Sequence, residues 1–161
     1  MKREDFKTLF DEHFDPLRNY IYYRSGDEEL ATDIAQECFM KLWEKQLNKT
    51  PKELIGLLYK MAGDLFISKH RHQKVEQNFA MQVDHQEDHH SPEDELRYKE
   101  LKSQYERALH ELPEGQRIVF LMSRMDELKY QEIADRLQLS VKSIEKRMTQ
   151  ALKHLRKALG N

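Results

Sequence analysis

Apolar residues recur along most of this chain at intervals of three and four, and alternating runs of β-branched residues never persist. That spacing gathers the apolar positions on one face of a helix. Phe6, Leu9, Phe10 and Phe14 form the first stripe, and Leu17, Tyr20 and Ile21 continue it. Asp15-Pro16 interrupts the run, and a proline there predicts a kink or a restart. Ser25-Gly26 stops the helix, and Asp27 can cap a second one running to about Gln46, with Leu30, Ile34, Cys38 and Leu42 aligned. Thr50-Pro51-Lys52-Glu53 is a helix start: Thr50 as N-cap, Pro51 in the first turn, Glu53 closing a capping box. Leu54, Leu57, Leu58, Met61 and Leu65 follow on one face.

The pattern then fails. From Gln73 to His90 the chain reads QKVEQNFAMQVDHQEDHH, polar with scattered apolar residues, which predicts an inter-domain tether. Ser91-Pro92 restarts a helix, with Ser91 as cap and Glu93, Asp94 and Glu95 near its positive end. Leu101, Tyr105, Ala108, Leu109 and Leu112 carry it to Pro113, and QRIVFLMSRM makes a further apolar helix. A short helix over Tyr130–Leu137, a corner at LQLS and a longer helix capped by Ser140 complete the chain. The expected fold is all-α: two small helical bundles, residues 1–72 and 92–161, joined by a linker over 73–91. Bundles of this size fold when their helices are well capped and packed.

Composition narrows the classes. The 161 residues are 39% hydrophobic and 35% charged, with five Gly and four Pro, a soluble and helix-rich balance. No run approaches the roughly 18 apolar residues of a membrane span. The opening MKREDFKTLF has early acids and no apolar core, so it does not read as a signal peptide. The single Cys38 cannot form an internal disulfide, which suits a reducing cytoplasm. His85, His89 and His90 lie among acids without the fixed spacing of a structural metal site, so no metal and no cofactor is expected. No nucleophile–base pair or phosphate-cradling glycine loop is visible, which argues against an enzyme.

The net charge of −2 conceals an alternation. Residues 1–40 carry −5, residues 41–83 carry +4, residues 84–111 carry −5 and residues 129–161 carry +5. Two basic segments are masked by acidic ones, which points to segregated surfaces, at least one suited to a polyanion.

The last helix shows what such a surface could do. On a wheel of 100° per residue, Ile144, Met148, Ala151 and Leu155 share a narrow stripe with Leu152 close by. The opposite side carries Lys142, Lys146, Thr149, Gln150 and Lys153, flanked by Glu145 and Arg147. One face can pack on a core while the other presents cations and hydrogen-bonding groups. Helix, short corner, capped basic helix is the helix-turn-helix layout, although the usual turn glycine is missing. A solvated basic face on a bundle helix would have the same spacing.

These segments resemble a known family. Leu112 to Leu159, LPEGQRIVFLMSRMDELKYQEIADRLQLSVKSIEKRMTQALKHLRKAL, resembles the fourth conserved region of bacterial sigma factors. LATDIAQECFMKLWE, Leu30 to Glu44, resembles the polymerase-binding part of their second region, and LLYKMAGDLFISKHRHQK the adjoining −10 recognition segment. Both halves and their order are similar to the extracytoplasmic-function group of the sigma-70 family, which keeps only the second and fourth regions.

The resemblance implies a non-enzymatic protein that binds core RNA polymerase and directs it to promoter DNA. It implies base-reading roles at the −35 element for Glu145, Lys146, Thr149 and Gln150, and phosphate contacts for Lys142, Ser143, Arg147 and Lys153. Lys can read guanine edges and Gln adenine edges, while phosphate contacts set register. Glu145 either accepts from a cytosine amino group or holds a neighbouring Lys. Asp33, Gln36, Glu37 and Met40 fall on one side of their helix, away from Ile34 and Cys38, and the resemblance implies that this side docks on the polymerase. For melted −10 DNA it implies a basic track with stacking platforms, drawn from Tyr59, Lys60, Asp64, Lys69, Arg71 and Lys74, with Phe66 and His70 beside them. Asp64 and Ser68 depart from the Asn and Asp common there, and Asp64 can accept a base amino proton but cannot donate. An anti-sigma factor, membrane-bound in many members, is the further implied partner, without membrane insertion of this chain. The competing classes are a helix-turn-helix regulator that binds duplex DNA alone and a helical protein-interaction module.

Overall fold

The structure is a computed structural model that describes residues 1–70 and 91–160, without the side chain of His70. The described residues form seven helices and no strand. In chain order they are α1 (Arg3–Ser25), α2 (Glu28–Lys45), α3 (Pro51–His70), α4 (Pro92–Glu111), α5 (Glu114–Arg124), α6 (Tyr130–Leu137) and α7 (Val141–Ala158).

The boundaries follow from capping chemistry. Gly26 ends α1 in the left-handed region at φ 69°, and its N–H donates to the Tyr22 carbonyl at 2.7 Å. Asp27 accepts from the Leu30 N–H at 3.0 Å and opens α2. Thr50 and Glu53 complete a reciprocal capping box at α3: Thr50 N–H donates to Glu53 Oε2 at 2.9 Å, and Glu53 N–H to Thr50 Oγ1 at 3.3 Å. Ser91 caps α4 through the Asp94 N–H at 3.3 Å, and Ser140 caps α7 through the Ser143 N–H at 3.1 Å. Of the kink or restart expected at Pro16, the restart does not occur: α1 runs unbroken through the proline. Leu17 and Ile21, just beyond the proline, are fully buried, so packing holds the register that the missing N–H weakens. The stretch 73–90 lies outside the described residues, and Ser91 is the α4 cap.

Helices α1, α2 and α3 pack mutually into one bundle. Its centre holds Leu17, Ile21, Ile34, Cys38, Leu42 and Leu58, all at 0% exposure. Phe6, Phe10 and Phe14 gather around Phe39 at one end, with ring centroids 5.1–6.1 Å from it. In the C-terminal set α7 packs on α4, α5 and α6. Leu109, Val119, Met122, Ile133, Ile144 and Ala151 are sealed there. The two sets also touch: α5 packs on α1 and α6 on α3.

That junction is polar and partly buried. Arg117 is only 3% exposed. Its guanidinium donates to the carbonyls of Tyr23 at 2.9 Å and Arg24 at 3.2 Å on α1, and to those of Leu112 at 3.1 Å and His110 at 3.3 Å in its own half. Asp126 Oδ1 accepts from Tyr23 Oη at 2.7 Å and Asn19 Nδ2 at 3.1 Å. Burial raises the Asp126 carboxyl above its ordinary range, while the Tyr23 and Asn19 bonds oppose that rise.

Phe39 is the residue whose loss the packing should register most clearly. Phe39→Ala should lower the unfolding free energy in urea by about 3–5 kcal/mol, since three aromatic partners cannot all close over the gap. A loss below about 1 kcal/mol would contradict this core.

Candidate nucleic-acid interface

Helices α6 and α7 build the first site. The corner between them needs one left-handed residue, and Gln138 takes that place at φ 56° where a glycine is usual. Its side chain donates to the Asp135 carbonyl at 2.8 Å, and the Leu139 N–H donates to the Ala134 carbonyl at 3.0 Å. These local bonds offset the cost of the conformation. Ile133 and Ala134 anchor α6, and Ile144, Met148, Ala151 and Leu155 anchor α7. The opposite face of α7 is left open.

On that face Lys142, Glu145, Lys146, Thr149, Gln150 and Lys153 are exposed, and Ser143 and Arg147 are half-buried. Thr149 Oγ1 donates to the Glu145 carbonyl at 2.9 Å, which fixes the hydroxyl against its own helix. The Glu145 carboxylate makes no ion pair among the described residues. Arg147 lies over the start of α5, where a Cβ built on Gly115 would come within 2.9 Å of its guanidinium. Gly115 thus leaves room for a cation beside the face. The sequence reading missed Gln116. Its amide donates to Gln150 Oε1 at 3.4 Å, and its oxygen lies 2.8 Å from His154 Nδ1. Nothing in the linear spacing brings α5 to Gln150; only the packing of α5 on α7 does.

The second site lies on α2 and α3. Asp33, Gln36 and Met40 are exposed along α2, and Met40 is 63% exposed despite being apolar. Glu37 is half-buried and bridges two helices, 3.3 Å from Lys41 Nζ and 2.8 Å from Lys69 Nζ. Bonds from Lys69 first and Lys41 second hold its carboxyl below the usual range. The acid of the α2 stripe and a base of the α3 track are therefore partners.

Lys60, Asp64 and Lys69 are exposed on α3. Tyr59 is not: at 3% exposure it cannot stack a base in this arrangement. Its ring packs 5.2 Å from that of Tyr20, and Arg136 of α6 lies over it and donates to its hydroxyl at 3.3 Å. Burial pushes the Tyr59 phenol up to about 12. Phe66 is half-buried under the Arg24 guanidinium at 4.7 Å. Arg71 and Lys74 lie outside the described residues. A cleft of about 670 Å³ runs beside α3, with Lys49, Lys52, Lys60 and Asp64 on one wall and Arg136 and Gln138 on the other. Among the described residues no cluster of His, Cys, Asp and Glu could hold a metal, and no helix is long and apolar enough to cross a membrane.

Comparison with known proteins matches both halves. Residues 9–75 match the model of sigma-70 region 2, and residues 102–155 that of sigma-70 region 4. The ferric citrate uptake sigma factor FecI of Escherichia coli K12 is 24% identical over 92% of this chain and 87% of its own length. The ECF RNA polymerase sigma factor SigW of Bacillus subtilis is 26% identical over 98% of this chain and 90% of its own. Two solved structures share the fold at a TM-score of 0.63: CnrH in complex with the cytosolic domain of CnrY, and the sigma factor RpoE of Bartonella quintana in complex with the anti-sigma factor NepR. They are 20% and 17% identical, cover 98% and 97% of this chain, and are themselves covered over 89% and 97%. The chain belongs to the extracytoplasmic-function group of the sigma-70 family.

The Glu37 bridge has a measurable titration. Its folded pKa is the lower one, so the bridge contributes stability above the unfolded value and loses it as pH falls through the folded value. In a carboxyl NMR titration Glu37 should show a midpoint below that of an unfolded glutamate, and Lys69→Ala should move it up. A midpoint unmoved by that substitution would contradict the bridge.

Proposed function

We propose that this chain binds core RNA polymerase and directs it to a −35 and −10 promoter pair, with α7 as the −35 reading helix. The observation that carries the assignment of residues is the outward face of α7. Four side chains able to reach bases, Glu145, Lys146, Thr149 and Gln150, stand exposed there, with Lys142 and Lys153 beside them. Anchored by a buried stripe and capped by Ser140, the helix can enter a major groove without exposing its core. Ser143 and Arg147 lie at the edge of the face, where phosphates would pass.

Asp33, Gln36, Glu37 and Met40 form the polymerase-docking stripe. Its carboxylates suit a basic partner and its exposed methionine supplies an apolar contact. Lys60, Asp64 and Lys69, continued by Arg71 and Lys74, form the −10 track. Residues 1–72 and 92–161 are the two functional units, and residues 73–91 connect them. The protein works in the cytoplasm, catalyses no reaction itself and needs no cofactor. An anti-sigma factor is the regulatory partner, since both structural relatives were solved as complexes, one of them with an anti-sigma factor.

Transcription from a randomised −35 library, by holoenzyme carrying single variants, tests the reading helix. Lys146→Ala and Gln150→Ala should each cost about 1–3 kcal/mol of discrimination and relax preference at one or two adjacent positions. Lys142→Ala and Lys153→Ala should weaken promoter use almost uniformly and lower the salt dependence. If the first pair changed only overall activity, with base preferences intact, this face would not read sequence.

A further inference from the structure

Resting on the reading of α7 as the −35 helix, we propose that Gln116 of α5 is a positioning residue for base choice: it fixes which end of the Gln150 amide meets the base. The two ends of a glutamine amide are nearly the same size but opposite in hydrogen bonding, an oxygen that accepts and an NH2 group that donates. A half-turn about the last side-chain bond exchanges them. An exposed glutamine makes that turn freely, so Gln150 by itself would offer a donor to one base and an acceptor to another.

The bridge from α5 removes this freedom. Gln116 Nε2 donates to Gln150 Oε1 at 3.4 Å, and Gln116 Oε1 lies 2.8 Å from His154 Nδ1. With the Gln116 amide that way round, the His154 ring carries a proton on Nδ1 and donates it. Donation therefore runs in one direction, from His154 through Gln116 to Gln150. Gln150 and His154 stand one turn apart on α7 and are exposed, while Gln116 is half-buried between them. Gln116 is itself held in the first turn of α5, where its backbone N–H donates to the Pro113 carbonyl at 3.0 Å, and α5 packs on α7. The bridge thus joins two helices and no loop, which suits a group that must hold a fixed direction.

The consequence is a polarity. The Gln150 oxygen is drawn towards α5, and the NH2 end is left for the groove. Guanine presents two acceptors there, O6 and N7, whereas cytosine presents the N4 donor. The bidentate pairing with adenine needs the amide oxygen for the N6 amine as well, and the bridge holds that oxygen to Gln116. The tie therefore favours guanine over cytosine at the position that Gln150 meets. The amide is also ordered before DNA arrives, so less freedom is lost on binding.

The test is transcription from the randomised −35 library by holoenzyme carrying Gln116→Leu, Gln116→Glu or Gln150→Ala. Only folded, productive complexes give transcripts, so base preference is read apart from overall activity. Gln150→Ala identifies the position concerned as the one whose preference relaxes. Gln116→Leu keeps the bulk and removes both bonds; it should lower the guanine-to-cytosine ratio there by about two- to tenfold, the worth of one net hydrogen bond. Gln116→Glu can only accept, and an acid in the first turn suits α5. It should draw the Gln150 NH2 group inward, turn the oxygen to the groove and shift the preference past neutrality to cytosine. If Gln116→Leu and Gln116→Glu give the same preference at that position, wild-type or relaxed, Gln116 only packs against α7 and the inference is overturned. A wild-type preference for cytosine there would overturn it too. Base preferences left intact by Gln150→Ala would instead overturn the reading of α7 on which it rests.

Discussion

The arrangement of the two halves turns on one buried cation. Arg117 sits at 3% exposure, where an unpaired charge would be prohibitive. It is tolerated because four carbonyls surround it, two at the end of α1 and two around the corner between α4 and α5. Burial lowers its pKa, yet a guanidinium starts high enough to stay charged. The same carbonyls lack helical partners where α1 and α4 end, so one side chain settles two helix ends and fixes α5 against α1. With α5 placed, α7 packs across it and turns its basic face to solvent, and α6 comes to lie on α3.

This geometry explains how a chain with net charge −2 can carry a DNA reader. The cations of α7 are displayed together on one side, and the α2 stripe bearing Asp33 and Glu37 belongs to the other bundle. Where the acidic and basic sets do meet, at Glu37 and Lys69, they pair at 2.8 Å. A partner that takes Glu37 would leave Lys69 free for another anion. Exposed pairs of this kind are worth at most about 1 kcal/mol, so the exchange adjusts affinity and does not gate it.

Much of the fold was legible because its signals are local. Asp27, Thr50 with Glu53, Ser91 and Ser140 each cap the helix their position predicts, and the stripe from Ile144 to Leu155 is the buried face of α7. Pro16 does not restart its helix, because side-chain packing on both sides of it outweighs one absent backbone bond. The turn at Gln138 carried no glycine to mark it, and local hydrogen bonds make up the difference. The site was less legible. Tyr59 reads as an exposed stacking platform on α3, but α6 covers it, and packing between the halves leaves no periodic trace in the chain. Gln116 beside Gln150 was hidden for the same reason.

The most direct measurement of promoter direction is transcription with purified core polymerase, this protein and a genomic promoter library, with the 5′ ends of the transcripts mapped. A promoter-directing chain should give protein-dependent starts that share a −35 and a −10 element at constant spacing, and none without the protein. Tight binding of the protein alone to duplex DNA, with no new starts when core polymerase is supplied, would contradict it.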